Sequence, residues 1–429
     1  MMKNIFLPDL DFALSLDNQD SLRDFRNHFY LPEKNLIYLD GNSLGRLPIA
    51  TRELLQRSVD FEWGQRLIRT WNEGWFDLPG KISAKIAQVI GAEEDEVACC
   101  DSTSINLYKL AWAAVSLQKG RKRIVSDVLN FPTDLYVLQS VINQFGNQHE
   151  LALAPSTDGI SVSLHDLEQI INEDTALVVL SHVAFKSAFR YDMQLVNELV
   201  HRKGALIIWD LSHAAGAVPL ALNTAGADMA VGCTYKYLNG GPGSPAYLYV
   251  NRKLHEKLTS PVWGWFGDAR PFDFDHQYVP AAGIGKFMIG TPPILSLAAI
   301  EPGLDLIIAA GMERIREKSR LQTEFLIFLA DNFLIPIGFA FGTPLDADAR
   351  GSHVSLQHPE AFRICQALIN PMDNHPVIIP DFRAPDNIRI GITPLYTSFA
   401  EIYLAIKRVE EIVKGEIFKN CSEQRPAVT

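Results

Sequence analysis

Residues 205–213 read Ala-Leu-Ile-Ile-Trp-Asp-Leu-Ser-His, and residues 234–241 read Thr-Tyr-Lys-Tyr-Leu-Asn-Gly-Gly. The apolar run that ends at Asp210 is typical of a short, buried parallel strand, and a second apolar run precedes Lys236. In open α/β sheets, ligands bind beyond the carboxyl ends of the strands. The interval between Asp210 and Lys236 accommodates one crossover and a neighbouring strand. We therefore predict that both side chains meet at one edge of a sheet.

The wider pattern predicts an α/β fold. From residue 80 to residue 260, short apolar runs alternate with amphipathic stretches, which is typical of βαβ units and a mainly parallel sheet. The predicted strands span residues 96–100, 123–126, 177–181, 206–210, 229–233 and 246–250.

Composition excludes several classes of function. Apolar residues make up 47% and charged residues 21%, and the net charge of −11 leaves no basic surplus for nucleic acid or an anionic membrane. The five cysteines form neither a CxxC pair nor a His/Cys cluster at zinc spacing, so we expect no metal site. The N-terminus is not signal-like, and no apolar run reaches the ~18 residues of a membrane span. We expect a cytoplasmic protein without a membrane partner.

The lysine and the acid at the predicted sheet edge point to pyridoxal 5'-phosphate as cofactor. Its chemistry requires a lysine amine that attaches the cofactor and a carboxylate that keeps the pyridine nitrogen protonated. Lys236 and Asp210 meet these needs, and His213, one helical turn after Asp210, would orient the acid or contact the phosphate. The alternatives are a solvated loop lysine, an aspartate that only caps the next helix, and a packed histidine.

Further candidate cofactor contacts follow other predicted strands. Thr103 and Ser104 carry hydroxyls at the start of a predicted helix, where backbone N–H groups bind anions, although helix capping explains one of them. Phe131 lies beside a proline-stiffened turn and would stack on the pyridine ring, and an ordinary turn is the alternative. Ser181, at a strand end, would reach a polar substituent of the ring.

Three candidates lie in the second half of the chain. Trp265, in an aromatic and glycine-rich segment, would donate its indole N–H to the phosphate, and Thr291, before two prolines, would reach the phosphate of a neighbouring subunit. Packing and turn roles are the alternatives for both. Arg389 lies between two isoleucines in a predicted strand, where it either extends along the sheet edge or makes a bidentate contact with a carboxylate. We favour the carboxylate contact.

The length of 429 residues exceeds what one hydrophobic core usually serves. We predict an N-terminal arm over residues 1–50 that joins the small domain, a large cofactor-binding domain over 51–300 and a smaller α+β C-terminal domain over 301–429. We predict a long helix over 303–332, since its first half carries an apolar stripe. Such a helix is well suited to connect the domains. Strands at 351–357 and 387–391 would form a small C-terminal sheet.

These residues together resemble the kynureninases, a family of fold-type-I pyridoxal phosphate enzymes, over nearly the whole chain. Any one matching segment is weak, but their order and spacing are highly specific. One departure is Asp268, which stands where the family usually has histidine. The matching segments are Tyr-Leu-Asp-Gly-Asn-Ser-Leu-Gly at 38–45, Phe-Pro-Thr-Asp at 131–134, Asp-Leu-Ser-His at 210–213, Tyr-Lys-Tyr-Leu-Asn at 235–239, Gly-Trp-Phe-Gly at 264–267 and Thr-Pro-Pro-Ile at 291–294.

The resemblance implies a fold-type-I architecture, with a large domain around a mainly parallel sheet and a smaller α+β domain. It also implies a homodimer with active sites at the interface. The implied reaction is hydrolysis of L-kynurenine, with 3-hydroxykynurenine as a further possible substrate, to anthranilate or 3-hydroxyanthranilate and L-alanine. This places the enzyme in tryptophan catabolism and NAD biosynthesis.

The resemblance also assigns roles to residues. Lys236 is the Schiff-base lysine, Asp210 is the pyridinium partner, and Tyr235 is expected to help reprotonate the product carbon. Arg389 matches the arginine that binds the substrate carboxylate, while Trp71 is expected to wall the aromatic ring and Ser43 to line the substrate pocket. The further cofactor contacts implied are Thr103, Ser104, Phe131, Thr133, Asp134, Ser181, His213, Tyr235, Trp265 and Thr291.

Two other functions compete with this interpretation. A related pyridoxal phosphate lyase such as a cysteine desulfurase needs an exposed cysteine on a flexible loop, whereas Cys365 lies in a predicted helix. A non-catalytic nucleotide-binding protein is the second alternative. The chain has neither the GxGxxG pattern nor the P-loop pattern that such a protein would use.

Overall fold

Strands form the centre of both parts of the fold. A computed structural model describes residues 6–33, 35–371 and 374–424. In chain order the strands are β1 (Leu36–Tyr38), β2 (Val97–Cys99), β3 (Arg123–Asp127), β4 (Glu150–Ala154), β5 (Thr175–Ser181), β6 (Leu206–Asp210), β7 (Met229–Gly232), β8 (Tyr247–Val250), β9 (Ala340–Phe341), β10 (His353–Gln357), β11 (Val377–Ile379), β12 (Asp381–Arg383) and β13 (Asn387–Gly391).

The larger sheet has seven strands in the order β2-β8-β7-β6-β5-β3-β4. Strands β3 to β7 run parallel, which confirms the prediction of a mainly parallel sheet. Each strand predicted before residue 260 overlaps an observed strand. Strand β8 departs from the βαβ pattern because it runs antiparallel to both β7 and β2. The segment 233–246 that precedes β8 contains no helix, and so short a connection joins antiparallel strands.

Helices cover both faces of this sheet. The α-helices are α1 (Leu10–Gln19), α2 (Ile49–Arg57), α3 (Leu78–Ile90), α4 (Thr103–Leu117), α5 (Pro132–Gln144), α6 (Leu164–Ile170), α7 (Met193–Arg202), α8 (Ile294–Ala298), α9 (Glu301–Ala310), α10 (Met312–Phe333), α11 (Ala361–Ile369) and α12 (Phe399–Lys414).

Strand β6 shows why the sheet needs two covering layers. Its alternate side chains enter different cores: Leu206 and Ile208 pack with the α4 side, and Ile207 and Trp209 pack with the opposite side. A strand that is buried on both faces reads as a continuous apolar run, which is what the sequence shows before Asp210. Burying each large apolar side chain contributes about 1.5–3 kcal/mol. The polar residue at the strand end is therefore held by a rigid, fully packed element.

The predicted helix over 303–332 is wrong in one respect, because the structure divides it. Helix α9 ends at Ala310, and α10 begins at Met312. Gly311 between them has a φ of 81°, a left-handed conformation that glycine adopts without a Cβ clash. The apolar stripe identified from the sequence therefore belongs to two helices.

The smaller sheet and its helices form a second core. Its strand order is β12-β13-β10-β9, all antiparallel, and the predicted strands at 351–357 and 387–391 correspond to β10 and β13. Side chains of α10, α11 and α12 pack on this sheet. The N-terminal strand β1 pairs in parallel with β11, which ties the start of the chain to this part. The domain boundaries near residues 50 and 300 remain a prediction.

The described residues show neither a membrane-spanning helix nor a metal-binding cluster. No single helix there is long and apolar enough to cross a membrane, although the segments Ile294–Ala310 and Met312–Phe333, bent by 82°, pass that test as a pair. No group of at least three His, Cys, Asp or Glu side chains there is arranged to hold a metal ion.

Candidate active site

The ends of three neighbouring strands form the floor of the site, and two of them carry polar residues. Ser181 ends β5 and pairs with Asp210 at the end of β6, and Asp210 pairs in turn with Val231 of β7. Lys236 follows β7 in a loop and is half-buried. The parallel register therefore gathers these polar groups at the carboxyl edge, where α/β proteins bind ligands.

His213 contacts the candidate lysine. The Lys236 Nζ atom lies 3.5 Å from His213 Nδ1 and 3.4 Å from Nε2. Burial, followed by the nearby charges of Lys236 and Arg389, lowers the pKa of His213 well below its usual value. At neutral pH the imidazole is therefore uncharged, and the lysine amine has a polar neighbour that adds no second positive charge.

Two buried carboxylates lie near Lys236. Asp210 Oδ1 accepts a hydrogen bond from the Ser212 backbone N–H at 2.8 Å, which orients the carboxylate. Burial, followed by the charge of Asp210, raises the pKa of Asp134 well above its usual value, while the charge of Lys236 opposes this shift. The cluster thus combines one amine with two carboxylates of which the second, Asp134, is biased toward its neutral form.

Asp134 provides the test of whether a cofactor fits here. Its Oδ2 atom is buried and has no hydrogen-bond partner within the described part of the chain. Buried polar atoms in native proteins nearly always have a partner, so this oxygen indicates that a polar group of a ligand completes the site. A pyridine derivative with polar ring substituents matches that need, and Lys236 and Asp210 supply the amine and carboxylate that pyridoxal phosphate requires.

Ser181 and Phe131 are joined through Asn130, a residue that the sequence analysis missed. Asn130 Oδ1 accepts hydrogen bonds from the Ser181 hydroxyl at 2.7 Å and from the Phe131 backbone N–H at 2.8 Å. The Phe131 ring packs edge-on against Phe185, with 5.2 Å between centroids. Thr133 and Asp134 lie in the first turn of α5, directly after this junction. The Asn130 bridge therefore sets where α5 begins relative to β5.

Thr103 and Ser104 occupy the first turn of α4, as the sequence predicts for an anion site. The Ser102 hydroxyl caps the helix by accepting from the Ile105 backbone N–H. Because the first N–H groups of a helix have no partner inside it, Thr103 and Ser104 offer both amide and hydroxyl donors.

Arg389 is almost completely buried, with 1% of its surface exposed, and contacts the site from the smaller sheet. Its NH2 group donates to Ser43 Oγ at 2.8 Å, its NH1 group lies 3.5 Å from His213 Nε2, and NH1 also donates to the Phe185 carbonyl. With its amide oxygen turned toward the guanidinium, Asn42 accepts from Nε at 2.8 Å. The motif at 38–45 therefore contributes two neighbours of the arginine.

Asp381 is a second residue that the sequence analysis missed. It pairs with Arg389 across β12 and β13, and its carboxylate forms an ion pair with the NH2 group. His353 was also missed, and its ring centroid lies 5.8 Å from that of His213. Neither residue belongs to a recognisable motif; only the antiparallel register of the small sheet brings them to the arginine.

Tyr235 lies beside Lys236, whose Nζ is 5.9 Å from the centroid of the phenol ring. The charge of Cys233, together with burial, raises the pKa of Tyr235 above its usual value. The phenol therefore stays protonated at neutral pH.

Trp265, Thr291 and Trp71 lie outside this cluster. Trp265 is 39% exposed and contacts Phe266 and Phe272, and Thr291 is exposed. Trp71 packs edge-on against Trp75 in a short π-helix. Within the described part of this single chain, no hydrogen bond or ring contact joins any of the three to Lys236. Their assigned roles remain predictions.

Asp268 has a local structural role. Its carboxylate accepts hydrogen bonds from the backbone N–H groups of Arg270 at 2.7 Å and Val279 at 2.8 Å. These contacts close the loop between Asp268 and Val279.

Two family models and several relatives of similar length match this chain. Residues 76–332 match the model of class-V aminotransferases, and residues 315–409 match the model of the kynureninase C-terminal domain. A kynureninase from Pseudomonas fluorescens is 44% identical over 423 residues, which cover 97% of this chain and 99% of that protein. The chain belongs to the kynureninase family. A kynureninase from Burkholderia mallei (strain SAVP1) is 40% identical over 412 residues, or 95% and 96% of the two chains.

Solved structures support the fold of this member of the kynureninase family. An apo cysteine desulfurase from Thermococcus onnurineus NA1 has a TM-score of 0.79 at 19% identity, with 91% of this chain and 98% of that chain covered. A variant of C-DES with glycine covalently linked to its PLP cofactor has a TM-score of 0.77 at 17% identity, with coverage of 90% and 99%. Likeness at such low identity shows the fold alone.

These findings confirm the predictions of the family, of the fold-type-I architecture and of pyridoxal phosphate as cofactor. They favour the kynureninase family over the desulfurase alternative. Cys365 agrees with that outcome, because it lies fully buried in α11, where burial raises the pKa of its thiol. A thiol held in this way is neither exposed nor ionised, as a sulfur-accepting nucleophile would have to be.

Proposed function

We propose that Lys236, His213 and Arg389 together recognise an α-amino acid and direct the hydrolytic cleavage of its Cβ–Cγ bond. The enzyme carries out the reaction of the kynureninase family, which converts L-kynurenine to anthranilate and L-alanine. The observation that carries the residue assignment is the position of His213. Its Nε2 atom lies 3.4 Å from the amine of Lys236 and 3.5 Å from the guanidinium of Arg389.

Lys236 and Arg389 both lie within 3.5 Å of His213 Nε2, and this short separation fits an α-amino acid, whose amine and carboxylate are attached to the same carbon atom. The amine must react near Lys236, and the carboxylate must pair with a cation close by. Arg389 is that cation, and among its contacts the 3.5 Å approach to His213 is the longest and therefore the weakest. We propose that the substrate carboxylate takes this N–H of Arg389 and the hydroxyl of Ser43.

Bound pyridoxal phosphate supplies a protonated ring that stabilises negative charge developing at the substrate α-carbon. Asp210 would hold the proton on the ring nitrogen, and the Ser212 N–H keeps this carboxylate oriented. Asp134, whose buried Oδ2 atom has no hydrogen-bond partner in the described part of the chain, would bind a polar group of the cofactor. Lys236 would hold the cofactor through its amine and would remove the α-proton of the substrate.

The chain supplies a proton donor for the end of the reaction. Cleavage of the Cβ–Cγ bond leaves a carbon that must be protonated before alanine is released. Tyr235, whose pKa is raised, holds its proton close to Lys236. We propose that it delivers this proton, and that Trp71 forms one wall of the pocket for the aromatic ring.

Phosphate binding is proposed at the start of α4, with Thr103 and Ser104 as donors. Ser181, Phe131 and Thr133 would complete the surroundings of the ring. Trp265 and Thr291 are assigned to the phosphate of the second subunit in a homodimer with active sites at the interface. Exposed aromatic side chains near Trp265 support a partner surface there, since Trp263, Phe272 and Phe274 are 63%, 59% and 75% exposed.

We further propose that 3-hydroxykynurenine is also a substrate, and that the enzyme acts in the cytoplasm in tryptophan catabolism and NAD biosynthesis. The test is incubation of the pure holoenzyme with each kynurenine while anthranilate and 3-hydroxyanthranilate are measured separately. L-cysteine serves as the control substrate, with sulfide as readout. Formation of both products without sulfide is expected. Sulfide release without anthranilate would overturn the assignment, and anthranilate alone would remove only the hydroxylated substrate.

A further inference from the structure

Lys109 is a buried lysine that the proposed chemistry does not use. It lies in α4 with 0% of its surface exposed. Its Nζ donates to Asp101 Oδ2 at 2.7 Å and to the Phe287 carbonyl at 2.7 Å, and it lies 3.5 Å from Cys100 Sγ. An ammonium group has three N–H donors, so every donor is directed at a partner. Lysine is almost never fully buried unless it is paired, which indicates a specific structural task.

Asp101 is the charged partner of this lysine and has an unusual backbone conformation. Its φ of 50° lies in the left-handed region, which disfavours residues other than glycine, although aspartate and asparagine tolerate it best. Its carbonyl accepts from the Ala246 N–H at 2.8 Å, which anchors it to the strand β8 side of the sheet. The side-chain ion pair and this backbone contact hold the residue from two directions.

This conformation turns the chain from β2 into α4. The residue after Asp101 is Ser102, the N-cap of the helix, and Thr103 and Ser104 follow directly. The backbone conformation of Asp101 therefore sets the orientation of the N–H and hydroxyl donors in the first turn of α4. Through the Phe287 carbonyl, Lys109 also fixes the segment Gly283–Phe287, which precedes the loop carrying Thr291.

We propose that Lys109 and Asp101 are a positioning pair that sets the phosphate-binding turn at the start of α4. This inference rests on the proposed function, which assigns the cofactor phosphate to Thr103 and Ser104. In this proposal the pair acts by holding the turn and is given no direct contact with the cofactor. Loss of the pair should therefore weaken recognition of the phosphate and leave recognition of the ring at Lys236 and Asp210 intact.

The experiment compares two ligands that differ only in the phosphate. The full-length enzyme is equilibrated with pyridoxal phosphate or with pyridoxal, and the bound fraction is measured by absorption after ultrafiltration. The phosphate preference is the Kd for pyridoxal divided by the Kd for pyridoxal phosphate. We expect Lys109→Met to lower this preference about tenfold, because a displaced turn loses about one hydrogen bond to the phosphate. The Kd for pyridoxal should change less than about twofold.

Asp101→Asn is the second variant, because asparagine keeps the left-handed backbone and a hydrogen-bond acceptor while removing the charge. It should lower the phosphate preference in the same direction and decides the question if Lys109→Met does not fold. The matched control is Lys318→Met, which removes another buried lysine whose Nζ lies 2.6 Å from Asp20. That variant should lose stability but keep the phosphate preference.

The double variant Thr103→Ala with Ser104→Ala tests the phosphate site separately from the positioning pair. If it lowers the phosphate preference while Lys109→Met and Asp101→Asn leave it unchanged, the positioning pair is refuted and the phosphate site stands. If the double variant also leaves the preference unchanged, the phosphate assignment itself is wrong and the inference falls with it. A loss of preference in Lys318→Met equal to that in Lys109→Met would show a general effect of instability and overturn the specific role.

Discussion

Arg389 lies directly opposite Asp381 in neighbouring antiparallel strands, and their side chains form an ion pair with only 1% and 3% of the two side chains exposed. A buried charge without its partner destabilises a protein by about 3–5 kcal/mol. Asp381 thus holds the guanidinium at the site. Since Asp381 also contacts the Arg383 Nε at 2.9 Å, it is shared between two cations.

We expect Arg389→Lys to raise the KM for L-kynurenine about 10–100-fold, with a smaller effect on kcat. The lysine keeps the charge that pairs with Asp381 but loses the fork of donors that a carboxylate requires, and hydrogen bonds to charged groups contribute about 1.5–3 kcal/mol. The measurement is steady-state kinetics of anthranilate formation. Arg383→Lys is the matched control, because Arg383 contacts the same aspartate but its side chain is 37% exposed. An unchanged KM in Arg389→Lys would contradict the carboxylate role.

Lys236→Ala should abolish covalent attachment of the cofactor and reduce turnover at least about 10³-fold, in the range lost when a general base is removed. Borohydride reduction of the wild-type holoenzyme followed by peptide mass mapping should place the adduct on Lys236. The control is Lys203→Ala, a surface residue paired with Glu173, which should keep both adduct and activity. An adduct on another lysine of the wild-type enzyme would contradict the assignment.

The sequence predicted the central sheet well because its strands are continuous apolar runs between turn signals. It missed β4, whose residues Glu150 to Ala154 are rich in alanine and lie at the edge of the sheet with partial exposure. It also joined α9 and α10, since an apolar stripe by itself does not reveal the change of direction at Gly311. Local pattern therefore identified elements, whereas edges and bends depended on tertiary packing.

For the site, the sequence predicted residues that belong to motifs and missed those that only the fold brings close. The shared sheet edge was predicted for Asp210 and Lys236, because the runs before them are adjacent parallel strands. The contact between Lys236 and His213, which are 23 positions apart, was not predicted. Asp381 reaches Arg389 through a strand pairing whose register no short motif reveals. Asn130 likewise bridges Ser181 and Phe131 through one amide oxygen.

The buried His182 should make the stability of the enzyme sensitive to acid. Burial, followed by the charge of Arg190, lowers its pKa from 6.5 to about 3. His182 is therefore protonated at a lower pH in the folded state than in the unfolded state. Its contribution to the free energy of unfolding is fully present above pH 6.5 and is lost as the pH falls toward 3. At pH 5 the loss is about 2 kcal/mol. We expect the difference in unfolding free energy between wild type and His182→Gln to shrink by this amount between pH 7.5 and pH 5.

Urea unfolding at both pH values measures this difference. His201→Gln is the control, since Asp228 raises the pKa of His201 and its acid dependence therefore has the opposite sign. A gap between wild type and His182→Gln that does not change with pH would show that His182 does not stay neutral in the folded protein.

Complementation between Lys236→Ala and Trp265→Ala chains should reveal whether Trp265 serves the partner's site. A dimer of one Lys236→Ala chain and one Trp265→Ala chain contains one site that combines Lys236 of the second chain with Trp265 of the first. If Trp265 acts across the interface, that site is intact. Random exchange of subunits in an equal mixture then restores about a quarter of wild-type activity, because half of the dimers are mixed and each holds one good site. The measurement is anthranilate formation after subunit exchange in dilute urea. If Trp265 instead serves its own chain, the mixture shows only the average of the two parent activities.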